Sequence, residues 1–484
     1  MSTDITTPEW AKHAVFYQIF PDRFARSASV TKPNNLEAWE EPPTNYGFKG
    51  GDLLGVVEKL DYLQDLGISA IYFNPIFQSA ANHRYHTHDY FQIDPLLGGN
   101  AAFRTLLAAA HSRDIRIVLD GVFNHASRGF FQFNHILEIG DSSPYVDWFH
   151  VYGYPLNAYG EEKPNYKAWW NLHALPKFNT SNPQVQSFIM EIGRYWIEQG
   201  IDGWRLDVPD EIDEDGFWQT FRQEVKAANP EAYIVGEIWQ DAYRWLHGDQ
   251  FDAVMNYPLS YASLAFFGGH YVDPEQTHEN ARPHLNPLDA PGFATRVDDM
   301  LTKYARPVTD VQLNLLDSHD TPRFLTSVRG NLEALKLTTL FQMTFPGAPC
   351  VYYGDEIGME GGFDPDCRRS FPWEVAHWNA ELRDYFRDCI ALRNSHPELR
   401  TGDFIAVFAV DMVYAYLRKL DADVLLIVLN AGEAAAHIDI PLQDHLSHGI
   451  ALETVFGPGE ARLEVSHTAG LHIPARSGIV FKAD

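Results

Sequence analysis

Short apolar runs alternate with longer stretches of helical period along most of this chain. The runs AVFYQIF (Ala14–Phe20), AIYFNP (Ala70–Pro75), IRIVLDGV (Ile115–Val122) and IDGWRLD (Ile201–Asp207) predict the first four strands. AYIVGEI (Ala232–Ile238), FDAVMNY (Phe251–Tyr257), VQLNLLDSHD (Val311–Asp320) and PCVYYG (Pro349–Gly354) predict four more. Between them lie predicted helices at about Asp52–Leu66, Ala101–Arg113, Gly216–Ala228 and Leu332–Phe345, and a last one at Ala380–Asn394. The clearest helix starts at Asn182, a capping residue, with Pro183 at the first helical position. Val185, Phe188, Ile189, Ile192 and Trp196 then fall on one face. Eight strands alternating with helices predict a parallel (β/α)₈ TIM barrel.

Two stretches break that rhythm. His125 to about Lys177 is rich in aromatics and turn residues without a helical period, and Leu259 to about Thr295 is a second long insertion. Both fall on loops after strand C-termini, where barrel enzymes build their substrate sites. From about Gly402 the runs AVFAVDMVYAYLRKL, ADVLLIVLN and AAAHIDIPL alternate with turn signals, as in an antiparallel β-sandwich. The expected organisation is barrel over 1–124, inserted domain B over 125–177, barrel again over 178–400, and a C-terminal β domain over 401–484.

Composition narrows the partners. With 37 basic against 65 acidic residues the formal net charge is −28, a field that repels nucleic acid and anionic membranes. No apolar run is long enough for a membrane span. The start MSTDITTPEW has neither a basic nor an apolar leader region, and the three cysteines (Cys350, Cys367, Cys389) have no metal-ligand spacing. A cytoplasmic protein is expected, as monomer or homodimer.

Polar residues gather at the predicted strand ends. Strand three ends in Asp120 to Asn124-His125, strand four in Arg205-Leu-Asp207, strand five in Gly236-Glu237 and strand seven in His319-Asp320. Any one of these alone reads as a cap or an ion pair. Together they place carboxylates, an arginine and two histidines on the catalytic rim of a barrel. His83, His86 and His88 beside Asp89 suggest a metal cluster, but they follow strand two and no further ligand set appears at strand-end spacing.

In order, DGVFNH, GWRLDV, GEIW and LLDSHD resemble the four signature regions of the α-amylase family of glycoside hydrolases. LPKFNT (Leu175–Thr180) is similar to a fifth region, in the form typical of neopullulanases, cyclomaltodextrinases and maltogenic amylases. FYQIFPDRF and GAPCVYYGDEIGMEG carry the resemblance over nearly the whole chain. It implies a retaining α-glucosidic enzyme with Asp207 as nucleophile, Glu237 as general acid/base and Asp320 as third carboxylate. Retention requires two carboxyls about 5–5.5 Å apart, one ionised and one protonated. Arg205, two positions before Asp207, is expected to hold the nucleophile ionised, and burial among negative charges to keep Glu237 protonated. The resemblance also implies that Tyr85 stacks on the sugar at the cleavage point. Asp120, His125 and His319 would hydrogen-bond that sugar, and Asp364 and Arg368 would bind the next one on the non-reducing side. Asp210 and Glu211 are placed to touch the leaving-group sugar.

This chain departs from the group in two places. Relatives carry structural calcium in an Asn/Asp-rich loop after the first-strand motif, whereas here the stretch reads ARSASVTKPNN. Gly50 and Asp52 remain there, too few for a hard-oxygen site at that loop, and Asn124 is a possible donor to the family's other calcium site, near the inserted domain. The group's extra N-terminal β domain is not expected either, since the first predicted strand begins at Ala14. No cofactor is expected for catalysis. The substrate class is malto-oligosaccharides, cyclodextrins or starch, with α-1,6 cleavage or transglycosylation open. A dedicated transferase or isomerase on the same scaffold, or a non-catalytic sugar-binding relative, is the competing reading.

Overall fold

The computed structural model describes residues 5–458, 462–464 and 468–483. Eight parallel strands form its centre: β1 (Phe16–Ile19), β2 (Ala70–Phe73), β3 (Arg116–Gly121), β4 (Gly203–Leu206), β5 (Tyr233–Gly236), β6 (Ala253–Val254), β7 (Leu313–Leu315) and β8 (Ala348–Tyr352). They are ordered β6-β5-β4-β3-β2-β1-β8-β7. A parallel bridge between Met255 and Leu313, with Asn256 N–H donating to Leu313 O at 2.8 Å, closes this sheet into a barrel. Helices cover its outside, so most of its strands are buried along their length and read as continuous apolar runs rather than as alternating ones.

Several predicted boundaries move, each for a local reason. The sixth strand is two residues long rather than Phe251–Tyr257, because Pro258 and the capping position of Asn256 start a helix at Tyr257–Ser263. The Gln312 side chain accepts Val254 N–H at 3.1 Å, standing in for a main-chain acceptor at this seam. Strand seven stops at Leu315, since Asp317 Oδ2 takes Phe324 N–H and Thr321 Oγ1 takes Ser318 N–H at 2.9 Å. Those side chains offer the backbone a turn in place of a ladder. The helix expected at Asp52–Leu66 is capped by Asp52, which accepts Gly55 N–H at 2.8 Å, and ends at Gly67 (φ 91°). It breaks at Lys59 into Leu53–Val57 and Leu60–Leu66. The second insertion is largely helical: Leu259–Gly268 is buried all round, which erases the amphipathic period a sequence reading depends on.

Residues 125–177 leave and rejoin the barrel at one point, where His125 pairs with Lys177 and Phe149 with Phe178. The segment contains an unpredicted helix, Phe131–Ile139, and an aromatic core of its own. Phe133 meets Tyr166 at 4.8 Å and Phe149 at 5.0 Å, edge to face. Trp148 joins that core, while Tyr152, Tyr159 and Trp170 are exposed.

The C-terminal strands are β9 (Asp403–Val410), β10 (Val413–Leu420), β11 (Asp423–Asn430), β12 (Ala436–Pro441), β13 (Ala451–Phe456), β14 (Arg462–Glu464), β15 (Thr468–Ile473) and β16 (Ser477–Ala483). Six form one antiparallel sheet, ordered β9-β10-β11-β16-β13-β14, and β12 pairs with β15. Along β10, Tyr414 and Tyr416 join the barrel's core while Val413, Ala415 and Leu417 face the sandwich interior. Both faces are buried, hence the unbroken apolar run.

Two fully buried arginines hold the junction. Arg393 donates to Met343 O (3.0 Å), Phe345 O (3.2 Å) and Leu399 O (3.1 Å), and Arg418 to Leu399 O (2.8 Å), Gly402 O (3.0 Å) and Thr344 O. They satisfy carbonyls left open at the end of the helix Leu332–Thr344. Burial pushes their pKa values down, to about 9 for Arg393 and about 10 for Arg418. Arg418→Met strands those carbonyls and is expected to cost about 3 kcal/mol, by analogy with removing one partner of a buried charged contact. Thermal unfolding should show a lowered midpoint, with catalytic activity at low temperature retained.

Candidate active site

β3, β4 and β5 deliver the central groups in register. Asp120 on β3 lies opposite Arg205 on β4, and Leu206 opposite Gly236 on β5. Asp207 N–H donates to Gly121 O (3.1 Å) and Glu237 N–H to Leu206 O (2.9 Å), so the ladder continues one step past both strands. Asp207 and Glu237 therefore stand side by side at the barrel's rim.

Arg205, fully buried, binds this set together. Its Nη1 donates to both oxygens of Asp120 (2.8 and 2.9 Å) and to Asp207 Oδ1 (3.2 Å). Its Nη2 lies 2.8 Å from Glu237 Oε2, a charge contact without hydrogen-bond alignment. Glu237 also accepts Trp239 Nε1–H (3.0 Å) and Val208 N–H (3.2 Å). Val208 has φ 35° and ψ 53°, a left-handed conformation that is unfavourable for a β-branched residue before proline. Strain of this kind costs on the order of 1–3 kcal/mol. Here it aims a backbone donor at Glu237.

Around this centre, Tyr85 Oη meets Asp120 Oδ2 at 2.9 Å and His319 Nε2 at 2.6 Å, with its ring parallel to the imidazole at 5.5 Å. His319 Nε2 is 3.1 Å from Asp320 Oδ2. Arg368 pairs with Asp320 (3.3 Å) and Asp364 (2.9 Å) and donates to His319 O (2.8 Å). His125 stacks on Trp169 at 5.5 Å, and its Nε2 is buried without a hydrogen-bond partner. All of these except Asp120, Arg205 and His319 line one cleft of about 600 Å³, which also takes in Asp207, Glu237, Trp239, Asp210 and Glu211. Asp120, Arg205 and His319 lie directly beneath it.

Some participants are absent from the motif-by-motif sequence reading. Gln18 Nε2 contacts His319 Nδ1 at 2.9 Å, Tyr72 Oη donates to Asp120 at 3.0 Å and Asn74 Nδ2 to Tyr85 Oη at 3.1 Å. Gln18 and Asn74 are the polar positions of otherwise apolar strand motifs, FYQIF and AIYFNP, and that signal marks them.

The electrostatics differ from expectation in one respect. Arg205 does contact Asp207, but the guanidinium is shared among three carboxylates, and burial pushes Asp207 well above the usual carboxylate range. Burial raises Asp120 as well, and burial together with Glu237's charge raises Asp320 to about 7. These carboxyls titrate as a set. Burial drives His125 down to about 3, and burial with Arg368 drives His319 well below its usual value, so both imidazoles are neutral hydrogen-bonding groups.

The calcium donors do not assemble. Asp52 Oδ1 is occupied by Gly55 N–H, and Oδ2 by Ser27 N–H and the Lys32 ammonium, each at 2.9 Å. Asn124 Oδ1 is a buried acceptor without a partner, one donor where calcium takes six to eight. His83 and His86 pack edge to face at 4.8 Å, and no group of metal-ligating side chains occurs among the described residues.

Residues 18–398 match the α-amylase catalytic domain. The chain belongs to the α-amylase family and is an α-glucan hydrolase. It is 44% identical over 439 residues to a cyclomaltodextrinase of Geobacillus thermopakistaniensis, covering 90% of this chain and 71% of that one. An intracellular maltogenic amylase of Bacillus subtilis is 40% identical over 439 residues, again 90% and 71%. Among solved structures, the debranching enzyme of Nostoc punctiforme superposes with a TM-score of 0.92 at 50% identity, covering 99% of this chain and all of that one. No described helix is long and apolar enough to cross a membrane.

In this family member, the indole N–H of Trp239 is the side-chain donor held on Glu237. Trp239→Phe keeps the stack on Tyr257 (3.7 Å) and removes that donor. Steady-state kinetics should show kcat lowered about tenfold or more, from the loss of one hydrogen bond at a reacting carboxyl, with KM little changed.

Proposed function

We propose that the enzyme cleaves α-1,4-glucosidic bonds by double displacement, with Asp207 as nucleophile and Glu237 as acid/base. The observation that carries this reading is the pairing of Asp207 and Glu237 on consecutive strands, both gathered on Arg205. The reaction requires the proton on Glu237 and Asp207 ionised against Arg205. Asp207 attacks the anomeric carbon while Glu237 gives its proton to the leaving oxygen. Glu237 then takes a proton from a water that attacks the anomeric carbon, which breaks the bond to Asp207 and releases the sugar with retained configuration. Asp320, beside neutral His319, stabilises the positive charge that develops on the ring and holds its hydroxyls, with Asp120, His125 and Tyr85 as further contacts. Asp364 and Arg368 bind the adjoining sugar.

α-1,6 cleavage belongs to the same reading. This chain is similar to the Nostoc debranching enzyme over 99% of its length, and its cleft takes in Asp210 and Glu211. We place the protein in the cytoplasm, a reading supported by three buried, unpaired cysteines and by the intracellular maltogenic amylase relative.

Asp207→Asn and Glu237→Gln should each lower kcat on malto-oligosaccharides by about 10³-fold or more, while circular dichroism stays unchanged. Near-normal turnover in either variant sinks the assignment. A β-anomeric first product by NMR sinks the double displacement.

We also propose that the first-strand loop is stable without calcium, because the Lys32 ammonium supplies the positive charge Asp52 requires. EDTA should leave the unfolding midpoint unmoved, and Lys32→Ala should lower it. A fall of several degrees with EDTA, reversed by added calcium, would show the loop reading to be wrong.

A further inference from the structure

The cleft continues past Asp364 and Arg368. A second hollow, of about 590 Å³, shares His83, His86, Asp364 and Arg368 with the catalytic cleft, so the two are lobes of one groove. One wall is the loop at Thr44–Tyr46. The other belongs to the inserted segment, through Ser127, Arg128, Gly129 and Tyr159.

Two rings stand along this second lobe. Tyr46 is 92% exposed and Tyr159 is 73% exposed, and the Arg128 guanidinium lies 4.2 Å from the Tyr159 ring centroid. Arg128 is itself held by Ala158 O at 2.7 Å, so the ring has a fixed support. Asn82, buried beneath, donates to Asn45 O (3.0 Å) and Gly47 O (2.7 Å) and ties the Tyr46 loop to the floor. Gly129 keeps the other wall in place, since a Cβ there would sit 2.4 Å from the His88 ring.

The lobe's chemistry is that of a neutral, hydroxyl-rich ligand. Burial drives His83 well below its usual value and His86 down to about 4, so the floor presents uncharged imidazoles. Arg23, 1% exposed, borders the lobe with Nη1 lacking a hydrogen-bond partner. Asp364, the one carboxylate among the lining residues, is paired with Arg368. Ring faces beside neutral donors and acceptors suit pyranose units.

The side is set by the acid. Glu237 protonates the leaving group, and Trp239, Gln240, Asp210 and Glu211 surround it. None of these borders the second lobe. The lobe therefore lies on the non-reducing side of the scissile bond.

We propose that this second lobe binds further glucosyl units of the non-reducing-side chain, beyond the one at Asp364 and Arg368, with Tyr46 and Tyr159 as stacking platforms. The enzyme then selects glucans with a long linear segment on that side. This rests on the reading of Asp207 and Glu237 given above.

The test uses maltotriose and reducing-end-labelled maltoheptaose, with wild type and the double variant Tyr46→Ala/Tyr159→Ala. For wild type, kcat/KM should be higher on maltoheptaose than on maltotriose, and the labelled product should be short. The double variant should lose about tenfold on maltoheptaose, the range of exposed aromatic anchors in binding sites, and release longer labelled products. Its rate on maltotriose should stay within about a factor of two of wild type, since neither ring reaches the reacting sugar. A wild-type rate independent of chain length, or equal losses on both substrates, or an unchanged cleavage position, overturns the proposal. Absence of wild-type turnover on both substrates would instead remove the glucan hydrolase reading itself.

Discussion

The guanidinium of Arg205 is the constraint around which this active site is organised. It is fully buried and gathers Asp120, Asp207 and Glu237 from three neighbouring strands. Removing a charge from water costs several kcal/mol, and only close, well-placed counter-charges offset it. One cation cannot neutralise three carboxylates, however, and Arg368, which serves Asp320, also serves Asp364. Burial, with that excess negative charge beside it, raises Asp120, Asp207 and Asp320 above the usual carboxylate range. A double displacement requires one carboxyl ionised and its neighbour protonated. Stability and chemistry thus draw on the same arrangement.

The surrounding structure protects that arrangement. Tyr72, Asn74 and Gln18 lie beneath the reactive layer and fix Asp120, Tyr85 and His319 through hydrogen bonds, so the groups facing the sugar have few orientations available. The strained backbone at Val208 belongs to the same device. On the outside, Arg418 ties the sandwich strand β10 to the barrel through the carbonyls of Thr344 and Leu399. The inserted segment builds the upper wall of the cleft from His125 to Leu175, and its exposed rings extend the groove past the reacting sugar.

Much of this was readable along the chain. The eight apolar runs mark the barrel because a strand covered on both faces has few polar positions to interrupt it. The motifs at their ends stand out for the converse reason, as charge concentrated where apolar strands stop. What misled was local. Side-chain caps at Asp317 and Thr321 shortened β7, Pro258 cut β6, and the all-round burial of Leu259–Gly268 hid a helix. Asp52 was recognisable as a cap, but not the Lys32 ammonium that occupies it.

By itself the sequence determined the order of elements, the family's signature residues and their placement at strand C-termini, since those follow from periodicity and from motifs contiguous in the chain. Only the tertiary structure decided how one guanidinium is divided among three carboxylates and which backbone donor reaches Glu237. It alone joined His83, Tyr46, Tyr159 and Asp364 into one groove. These are relations between segments tens to hundreds of residues apart. Charge sharing and cavity shape depend on distances of a few ångströms across such segments, and no pattern along the chain encodes them.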